Sequence, residues 1–329
     1  MSDGRRILIT GGAGFLGYHL ARRLAAEADS TIDLVDNLVR GRRDAEMEAL
    51  IGQPNVHLIE GDLTDPETLT RLQPPYHEVY HLAAIIGVEH VLERPAEVIR
   101  VGGLATLLLL DWLCRGGGEK LVFSSTSEAY AWTQDFHPLP IPTPEEVPLA
   151  LTDLKNPRAS YAGSKIFGEL AITQTCRAHD KPFALLRYHN VYGPRMGWKH
   201  VIPQLAERAA GGESPLTVYS PHHRRAFCFV DDAVEATVRA MRWPEANGET
   251  FNVGNDTEEV PIEDLAHRVL DHLGLDNALA AKPAANDPIS RRCPDVTKAR
   301  RVLGYEPQVS LDEGLRQTLA WYREHPRPE

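Results

Sequence analysis

A glycine-rich run, TGGAGFLG, constrains this chain more than any other part of its sequence. It follows the apolar residues 7–10, which predict a strand, and leads into a helical pattern that begins at Phe15. The glycines permit a tight turn, close approach of a pyrophosphate to the backbone, and close packing of the helix on the sheet. Free amides at the start of the helix favour phosphate. The run therefore predicts a dinucleotide site built on Gly11, Gly14 and Gly17.

Asp36 supports this prediction. It ends the next apolar run, about twenty residues after the glycines, where a carboxylate can accept hydrogen bonds from an adenosine ribose. This favours NAD over NADP. Arg40, Arg42 and Arg43 follow at once and could hold a ribose phosphate instead, but a fixed carboxylate repels a 2′-phosphate at short range. Asp62 is interpreted either as an adenine contact or as a helix cap or turn carboxylate.

The pattern along the chain predicts the fold class. Short β-branched runs alternate with longer segments of helical spacing, which is typical of a parallel sheet covered by helices. The proline-rich residues 137–148 are predicted to form a surface loop, because proline lacks an N–H donor. Strands are predicted at 7–10, 32–36, 56–60, 78–81, 120–124 and 183–187, and helices from Phe15, Pro66, Pro95 and Ser160. We predict an α/β fold: a Rossmann-type, doubly wound parallel sheet with a smaller C-terminal substrate-binding lobe.

The alternation fades after about Tyr188, where glycine and proline punctuate shorter elements. We predict a dinucleotide-binding Rossmann domain over residues 1–187 and mainly a substrate-binding lobe over residues 188–329. Residues 227–242 read as a strand and a helix. We therefore expect residues 225–245 to rejoin the first domain.

Composition excludes several classes of function. A formal charge of −11 repels polyanions, so neither nucleic acid nor an anionic membrane surface is an expected partner. The most apolar stretch, 104–113, is too short to span a bilayer. The opening MSDGRR lacks the features of a signal peptide. The spacing of the cysteines is typical of neither a zinc site nor a redox pair, so we expect a cytoplasmic protein without a metal. The cysteines are Cys114, Cys176, Cys228 and Cys293.

A second motif, YAGSK, contains Tyr161 and Lys165 four residues apart, a spacing that places both on one face of a helix. Tyrosine has an ordinary pKa of about 10, so a nearby ammonium and a positive nicotinamide ring are needed to favour the phenolate. Thr126, in SSTSE, would hydrogen-bond the same substrate oxygen. Such residues also occur on solvated helix faces and in turns. Their order behind a dinucleotide turn favours catalysis, with Tyr161 as the base.

With these motifs, the chain resembles the extended short-chain dehydrogenase/reductases, a family of nucleotide-sugar epimerases, dehydratases and decarboxylases. The branch that it resembles most is the UDP-glucuronic acid decarboxylases. The resemblance implies NAD as cofactor, a UDP-sugar as substrate, and a homodimer formed by helices near 98–114 and 160–179. The resemblance covers nearly the whole chain, and the motifs that carry it are TGGAGFLG, VDN, GDL, YHLAA, SSTSEAY, YAGSK, RYHNVYGPR, LTVY, RRAF and RRCPD.

The resemblance also implies roles for single residues. Thr126, Tyr161 and Lys165 would form the hydride-transfer triad, Glu128 would act as acid or base at the sugar, and Arg292 would face the sugar carboxylate. Implied cofactor contacts are Gly11, Gly14, Phe15, Leu16, Gly17, Asp36, Asn37, Gly41, Asp62, Leu63, Leu82, Ala83, Ala84, Tyr161, Lys165 and Tyr188. Implied substrate contacts are Glu89, Ser127, Asn190, Arg195, Val201, Tyr219, Arg225 and Arg292.

Three of these substrate contacts have simpler readings without the resemblance. Tyr219, expected near the uracil, could be a core aromatic residue. Arg225, expected on the diphosphate, could form a surface salt bridge, and Arg292 could be one charge of a basic cluster with Arg291. The chain also departs from the family pattern at His189, where phenylalanine is usual. His189 and residues 85–90 are expected to line the sugar pocket.

The implied reaction oxidises sugar C4 with NAD⁺ while Tyr161 accepts the O4 proton. Loss of carbon dioxide from the resulting β-keto acid leaves an enolate that Tyr161 and Thr126 stabilise. Protonation at C5 and return of hydride give UDP-xylose, or UDP-4-keto-pentose if the ketone is released. The alternatives are a UDP-glucuronate 4-epimerase, another nucleotide-sugar epimerase or a 4,6-dehydratase. A non-catalytic NAD-binding regulatory module is the alternative from a different class.

Overall fold

A seven-stranded parallel sheet forms the centre of the fold. The computed structural model describes residues 4–283 and 290–327; residues 1–3, part of the opening weighed as a signal peptide, lie outside them. The strands are β1 (Arg5–Thr10), β2 (Ser30–Asp36), β3 (Val56–Glu60), β4 (Tyr76–His81), β5 (Gly118–Thr126), β6 (Phe183–Tyr188), β7 (Val191–Tyr192), β8 (Leu216–Tyr219), β9 (Arg224–Ala226), β10 (Cys228–Phe229), β11 (Glu249–Val253), β12 (Glu259–Pro261), β13 (Leu279–Lys282) and β14 (Arg291–Arg292).

The strand order explains where a ligand can bind. The sheet runs β11-β6-β5-β4-β1-β2-β3, and every pairing in it is parallel. The order reverses between β1 and β4, and in doubly wound sheets this reversal opens a crevice at the carboxyl ends of the strands. The predicted Rossmann-type sheet is confirmed, and each of the six predicted strands lies within one of its strands.

Helices cover both faces of the sheet. Along β1, Ile7 and Ile9 face one apolar layer and Leu8 faces the other, as the twofold period of a strand requires. The helices are α1 (Phe15–Ala25), α2 (Ala45–Ile51), α3 (Pro66–Thr70), α4 (Val88–Glu93), α5 (Pro95–Trp112), α6 (Glu128–Ala131), α7 (Ala159–Ala178), α8 (Val201–Ala210), α9 (Val230–Arg242), α10 (Ile262–Leu273), α11 (Thr297–Leu303) and α12 (Leu311–Glu324). The first layer contains α1 and α9, and the second contains α5 and α7.

The later part of the chain divides its residues between two regions. Helix α9 packs on α1, β5 and β6, and β11 pairs with β6, so both belong with the central sheet. We call this sheet with its helices the Rossmann half. The remaining strands form three small sheets, β10-β7, β12-β9-β14 and β13-β8; together with α8, α10 and α12 we call them the substrate lobe, after the role predicted for this region. The prediction for residues 225–245 includes α9 but not β11.

Two further features concern the proline-rich loop and membrane-spanning helices. Residues 137–148 form the predicted loop, apart from one bridge between Thr143 and Pro294. Within residues 4–283 and 290–327, no helix combines the length and hydropathy needed to cross a bilayer.

Candidate active site

The glycine-rich turn lies between β1 and α1, as its spacing predicts. Gly11 has a φ of 71°, a conformation that favours glycine, and its N–H donates to the Val35 carbonyl at 2.8 Å. A Cβ at Gly17 would stand 2.1 Å from the Gly11 oxygen, so the helix could not approach the turn as closely. The first turn of α1 carries no acidic residue. The turn is a cradle of backbone amides that fits a phosphate group.

Asp36 stands at the carboxyl end of β2, beside this turn. Its carboxylate accepts hydrogen bonds from the Ala13 N–H at 3.0 Å and the Leu38 N–H at 2.9 Å. Burial raises the pKa of Asp36, and these two N–H groups oppose that effect. Asn37 donates to Asp62 Oδ2 at 3.2 Å, which joins the loops after β2 and β3. This edge therefore presents a fixed carboxylate where an adenosine ribose would bind.

The other predicted cofactor residues gather at the same edge of the sheet. The Leu82 N–H donates to the Thr10 carbonyl at 3.1 Å, which holds the end of β4 against the glycine turn. Tyr188 ends β6, and its hydroxyl lies 2.7 Å from Thr237 Oγ1 of α9. The loops that follow the strands carry Gly14, Gly41, Leu63, Ala83 and Ala84, and the first turn of α1 carries Phe15 and Leu16. Their contacts with NAD stay predictions.

Thr126, Tyr161 and Lys165 come together where β5 ends and α7 begins. Lys165 is 4% exposed, and its Nζ donates to the Ser124 carbonyl at 2.6 Å. The same Nζ lies 4.8 Å from the centre of the Phe123 ring. Burial lowers the pKa of Lys165 to about 7, against the opposing charge of Glu169. At neutral pH, this ammonium therefore sits close to its own titration point.

The electrostatics of Tyr161 differ from the sequence prediction. Burial raises the pKa of the Tyr161 phenol to about 12, a hydrogen bond with Thr126 lowers it, Glu128 raises it, and Arg40 lowers it. The predicted partner, Lys165, is bonded to Ser124 instead. Its action on the phenol stays a prediction. Arg40 is a cation that sequence reasoning considered only as a ligand for a ribose phosphate.

Beside Tyr161, Glu128 lies between two arginines. Arg292 Nη1 donates a short hydrogen bond to Glu128 Oε1, and Arg158 Nη2 lies 3.7 Å from the same oxygen. The side chains of Arg292, Glu128 and Arg158 are 13%, 22% and 21% exposed. The sequence predicted Glu128 and Arg292 but missed Arg158. Its position three residues before Tyr161, on the same helical face, was the available signal.

The register of the small sheet places two predicted arginines side by side. Strand β14 pairs with β9 in parallel, and Arg292 is the register partner of Arg225. Arg225 is 8% exposed and donates to the Arg224 carbonyl at 2.9 Å. Tyr219, at the end of β8, is 53% exposed, which rules out the core-aromatic reading. The substrate lobe thus offers two adjacent cations and an accessible ring.

Several predicted substrate contacts are bonded within the protein. Arg195 Nη1 pairs with Asp44 at 2.8 Å, and its guanidinium lies 4.0 Å from the centre of the Tyr18 ring. Asn190 donates to the Ala226 carbonyl at 3.1 Å. Glu89 pairs with Lys199 across the crevice, and Val201 begins α8. The ion pairs of Arg195 and Glu89 join the two regions, and the contacts with substrate stay predictions.

His189 lines a small cavity together with Ser127, Tyr130 and Arg292. His189 is 1% exposed, and its Nε2 lies 2.5 Å from the Tyr130 hydroxyl. Burial lowers the pKa of His189 to about 3, so the ring is neutral at physiological pH. A neutral polar side chain therefore lines the cavity at the position where the family pattern has phenylalanine.

The described residues contain no group of three or more His, Cys, Asp or Glu side chains that could hold a metal ion. The cysteines at 114, 176, 228 and 293 are free thiols. The chemistry available at the site is therefore that of a partly buried phenol, a buried ammonium, and a carboxylate held by guanidinium groups.

Comparisons with known proteins agree with this geometry. A family model described as the NAD dependent epimerase/dehydratase family matches residues 7–254. A UDP-N-acetyl-alpha-D-glucosaminuronate decarboxylase of Bacillus cytotoxicus is 32% identical, with 97% of this chain and 98% of that protein aligned. UDP-glucuronic acid decarboxylase 5 of Arabidopsis thaliana is also 32% identical, over 94% of this chain and 87% of that protein.

A solved structure gives the same result for the fold. UDP-glucose 4-epimerase from Thermotoga maritima, in complex with UDP-glucose, superposes with a TM-score of 0.84 and is 30% identical. The match covers 97% of this chain and 99% of that one. The similarity includes the substrate lobe as well as the central sheet.

Proposed function

The chain belongs to the NAD dependent epimerase/dehydratase family, and from that premise we propose that it is an NAD-dependent carboxy-lyase acting on a UDP-uronic acid. The proposed reaction converts UDP-glucuronic acid through a UDP-4-keto intermediate to UDP-xylose, UDP-4-keto-pentose or both. The observation that carries this proposal is the Arg292–Glu128 pair beside Tyr161. A guanidinium placed there can receive a sugar carboxylate next to the group that handles the O4 proton.

NAD fits the crevice of this protein. The amide cradle after β1 suits its diphosphate, and Asp36 suits the ribose of its adenosine. When bound, NAD⁺ supplies reversible hydride acceptance at sugar C4, which makes a C6 carboxylate part of a β-keto acid. Because Asp36 would repel a 2′-phosphate, NAD⁺ should bind more tightly than NADP⁺. Titrating both under identical conditions checks this preference.

Tyr161 and Thr126 handle the proton on O4. The Thr126 hydroxyl hydrogen-bonds the phenol and lowers its pKa, which favours the phenolate, the form of Tyr161 that can accept the O4 proton. After decarboxylation, the same two hydroxyl groups can stabilise the enolate oxygen. Lys165, held by Ser124 beneath them, keeps a positive charge close to the reacting oxygen when it is protonated.

Arg292 and Glu128 act at the other side of the sugar. Arg292 orients the C6 carboxylate, since a carboxylate that enters a partly buried site needs a paired cation. That contact must weaken as carbon dioxide forms, because holding the ground state too firmly would oppose the reaction. Glu128 is then the proposed acid at C5, which requires its carboxylate to take up a proton before the transfer.

Relatives of this chain are named for two different substrates, so the substituent at sugar C2 must be determined by experiment. The names of the B. cytotoxicus and A. thaliana decarboxylases differ in an N-acetyl group, and both proteins are 32% identical to this chain. UDP-glucuronic acid is our first candidate, and UDP-N-acetylglucosaminuronic acid is the second. The 4-epimerase is a third candidate because of the T. maritima structure.

One assay separates these functions. The protein is incubated with NAD⁺ and either UDP-uronic acid, and nucleotide sugars and carbon dioxide are followed by mass. We expect carbon dioxide and a UDP-pentose. UDP-galacturonic acid formed without carbon dioxide would establish the epimerase instead, and NAD⁺ binding without any product would favour a regulatory module.

A homodimer in the cytoplasm completes the proposal. Helices α5 and α7 pack together and expose apolar side chains at Ile99, Leu107, Phe167 and Leu170. A grouped apolar surface of this kind is typical of a protein interface. Light scattering should give twice the mass of one chain, and Leu170→Glu should lower it to one. A monomeric wild-type protein would refute the dimer.

A further inference from the structure

Arg40 is a partly buried cation with an unusual environment. It lies in the loop after β2, four residues beyond Asp36. Its side chain reaches the loop after β4: a Cβ at Gly87 would lie 3.1 Å from Arg40 Nη1. A Cβ at Gly197, in the loop before α8, would lie 3.7 Å from Nη2. The guanidinium therefore spans the mouth of the crevice between the Rossmann half and the substrate lobe.

Neighbouring arginines have partners that Arg40 does not have. Arg43 Nε pairs with Glu48 at 2.5 Å, and Arg195 pairs with Asp44. Within the described part of the chain, Arg40 Nη1 is buried and has no hydrogen-bond partner. Tyr161 and Arg42 act on the charge of Arg40, and Arg40 in turn acts on His200; none of these three groups is a carboxylate.

A buried charge without a partner is costly, and proteins retain such groups where a ligand supplies the opposite charge. We propose that Arg40 binds the diphosphate of the dinucleotide as a guanidinium clamp over the glycine-rich turn. This inference rests on the proposed use of NAD. A dinucleotide that runs from Asp36 to Tyr161 must carry its diphosphate past the amides that begin α1. Arg40 covers the same path, and its planar fork suits a diphosphate.

The direction of the side chain decides between two anions of the cofactor. A 2′-phosphate would stand at the ribose beside Asp36, whereas the Arg40 guanidinium lies towards Gly87 and Gly197. The diphosphate is therefore the expected anion. The same placement makes Arg40 a cation that lowers the pKa of Tyr161, so the clamp also favours loss of the phenolic proton.

The test measures binding, independently of turnover. Titration calorimetry is run with NAD⁺ and ADP-ribose on protein freed of bound nucleotide, for the wild type, Arg40→Met, Arg40→Lys and the control Arg43→Met. A charge-assisted contact of this kind predicts a loss of roughly 10- to 100-fold in affinity for both nucleotides in Arg40→Met. Arg40→Lys should lose less, because it keeps the charge without the fork. The exposed Arg43→Met should stay within about twofold.

UDP and NADP⁺ identify the source of the anion. The affinity for UDP should be unchanged in Arg40→Met. A loss for UDP with none for ADP-ribose would assign Arg40 to the substrate diphosphate and overturn the inference. A larger loss for NADP⁺ than for NAD⁺ would assign it to a 2′-phosphate, with the same consequence.

Two further results complete the test. ADP-ribose should raise the melting temperature of the wild type and Arg43→Met more than that of Arg40→Met. If either Arg40 variant binds ADP-ribose as tightly as the wild type, the clamp is refuted while the proposed function stands. If the wild type binds neither NAD⁺ nor ADP-ribose, the proposed cofactor fails and the inference fails with it.

Discussion

The Rossmann half and the substrate lobe hold their functional side chains in different ways. In the Rossmann half, Asp36 and Tyr161 are set by the ends of long strands and by one helix, each within a local motif. In the substrate lobe, Arg225 and Arg292 are set by strands of two or three residues that pair across the lobe. The first region places groups by regular structure, and the second depends on distant contacts.

The charges differ in the same way. Arg292 and Arg195 are already paired with carboxylates of the protein, whereas Arg40 Nη1 is buried with no hydrogen-bond partner in the described structure. A paired arginine must exchange its partner when an anionic ligand binds, but an unpaired one does not. We therefore expect the Rossmann half to bind its anion by preorganisation and the lobe to bind its anion by exchange.

The largest expected effect belongs to the Rossmann half. Tyr161→Phe keeps the ring but removes the proton acceptor, so turnover should fall by about 10²- to 10⁴-fold. NAD⁺ affinity should stay within about threefold of wild type, since the hydroxyl is not placed at the diphosphate cradle. Steady-state kinetics and calorimetry check the two parts. Near wild-type turnover would remove Tyr161 from the role of base.

Glu128→Gln tests whether Arg292 exchanges a carboxylate of the protein for that of the substrate, at the boundary of the two regions. The substitution keeps the shape of the side chain but removes the charge that occupies Arg292. Because the substrate carboxylate no longer competes with a protein carboxylate for Arg292, UDP-glucuronate should bind at least as tightly as it does to the wild type. If Glu128 handles a proton, kcat should still fall by about 10- to 100-fold. A silent substitution would mean that Glu128 only orders α6.

His189→Phe tests whether the buried imidazole is neutral, through the pH dependence of the free energy of unfolding. The pKa of folded His189, about 3, lies below the ordinary value of about 6.5. As pH falls below about 6.5, the unfolded chain binds a proton that the folded chain does not bind, so stability is lost on acidification. The loss from this one group between pH 7 and pH 5 is about 2 kcal/mol.

Urea unfolding at both pH values measures this loss. We expect the variant to lose about 2 kcal/mol less than wild type between pH 7 and pH 5. Comparing each protein with itself cancels the cost of leaving Tyr130 without its partner. Identical pH dependences in the two proteins would show that His189 is not held neutral.

The smallest expected effect is at Arg158, the second arginine beside Glu128. Because it is further from the carboxylate than Arg292, Arg158→Met should weaken binding of UDP-glucuronate by about 3- to 10-fold. The exposed Lys155→Met, three residues earlier, is the matched control for lost positive charge. If the affinity for UDP-glucuronate falls equally in the two variants, Arg158 contributes only its charge and makes no specific contact.

The sequence predicted the Rossmann half well because its signals are local. Turn glycines, the carboxylate that ends β2, and the tyrosine–lysine spacing each lie within a few residues of the structure that they determine. Strand β11 was missed, since a five-residue strand that joins β6 from far along the chain has no local signature.

The partners of the site residues could not be predicted for the same reason. Glu128 and Arg292 are 164 residues apart, and their contact depends on the register of β14 with β9. Sequence patterns identified both residues but gave no distance between them. The direction of Arg40 was also beyond reach, because the residues it approaches, Gly87 and Gly197, lie in two other loops.

Recognition of a sugar carboxylate by the substrate lobe is the central claim, and Arg292→Ala tests it most directly. The Kd values of UDP-glucuronate and UDP-glucose are measured for the wild type, Arg292→Ala and the control Arg291→Ala, whose arginine pairs with Glu259 on the surface. We predict that Arg292→Ala weakens UDP-glucuronate by about 10- to 100-fold and UDP-glucose by less than about threefold. Equal losses for the two sugars in Arg292→Ala would contradict the claim.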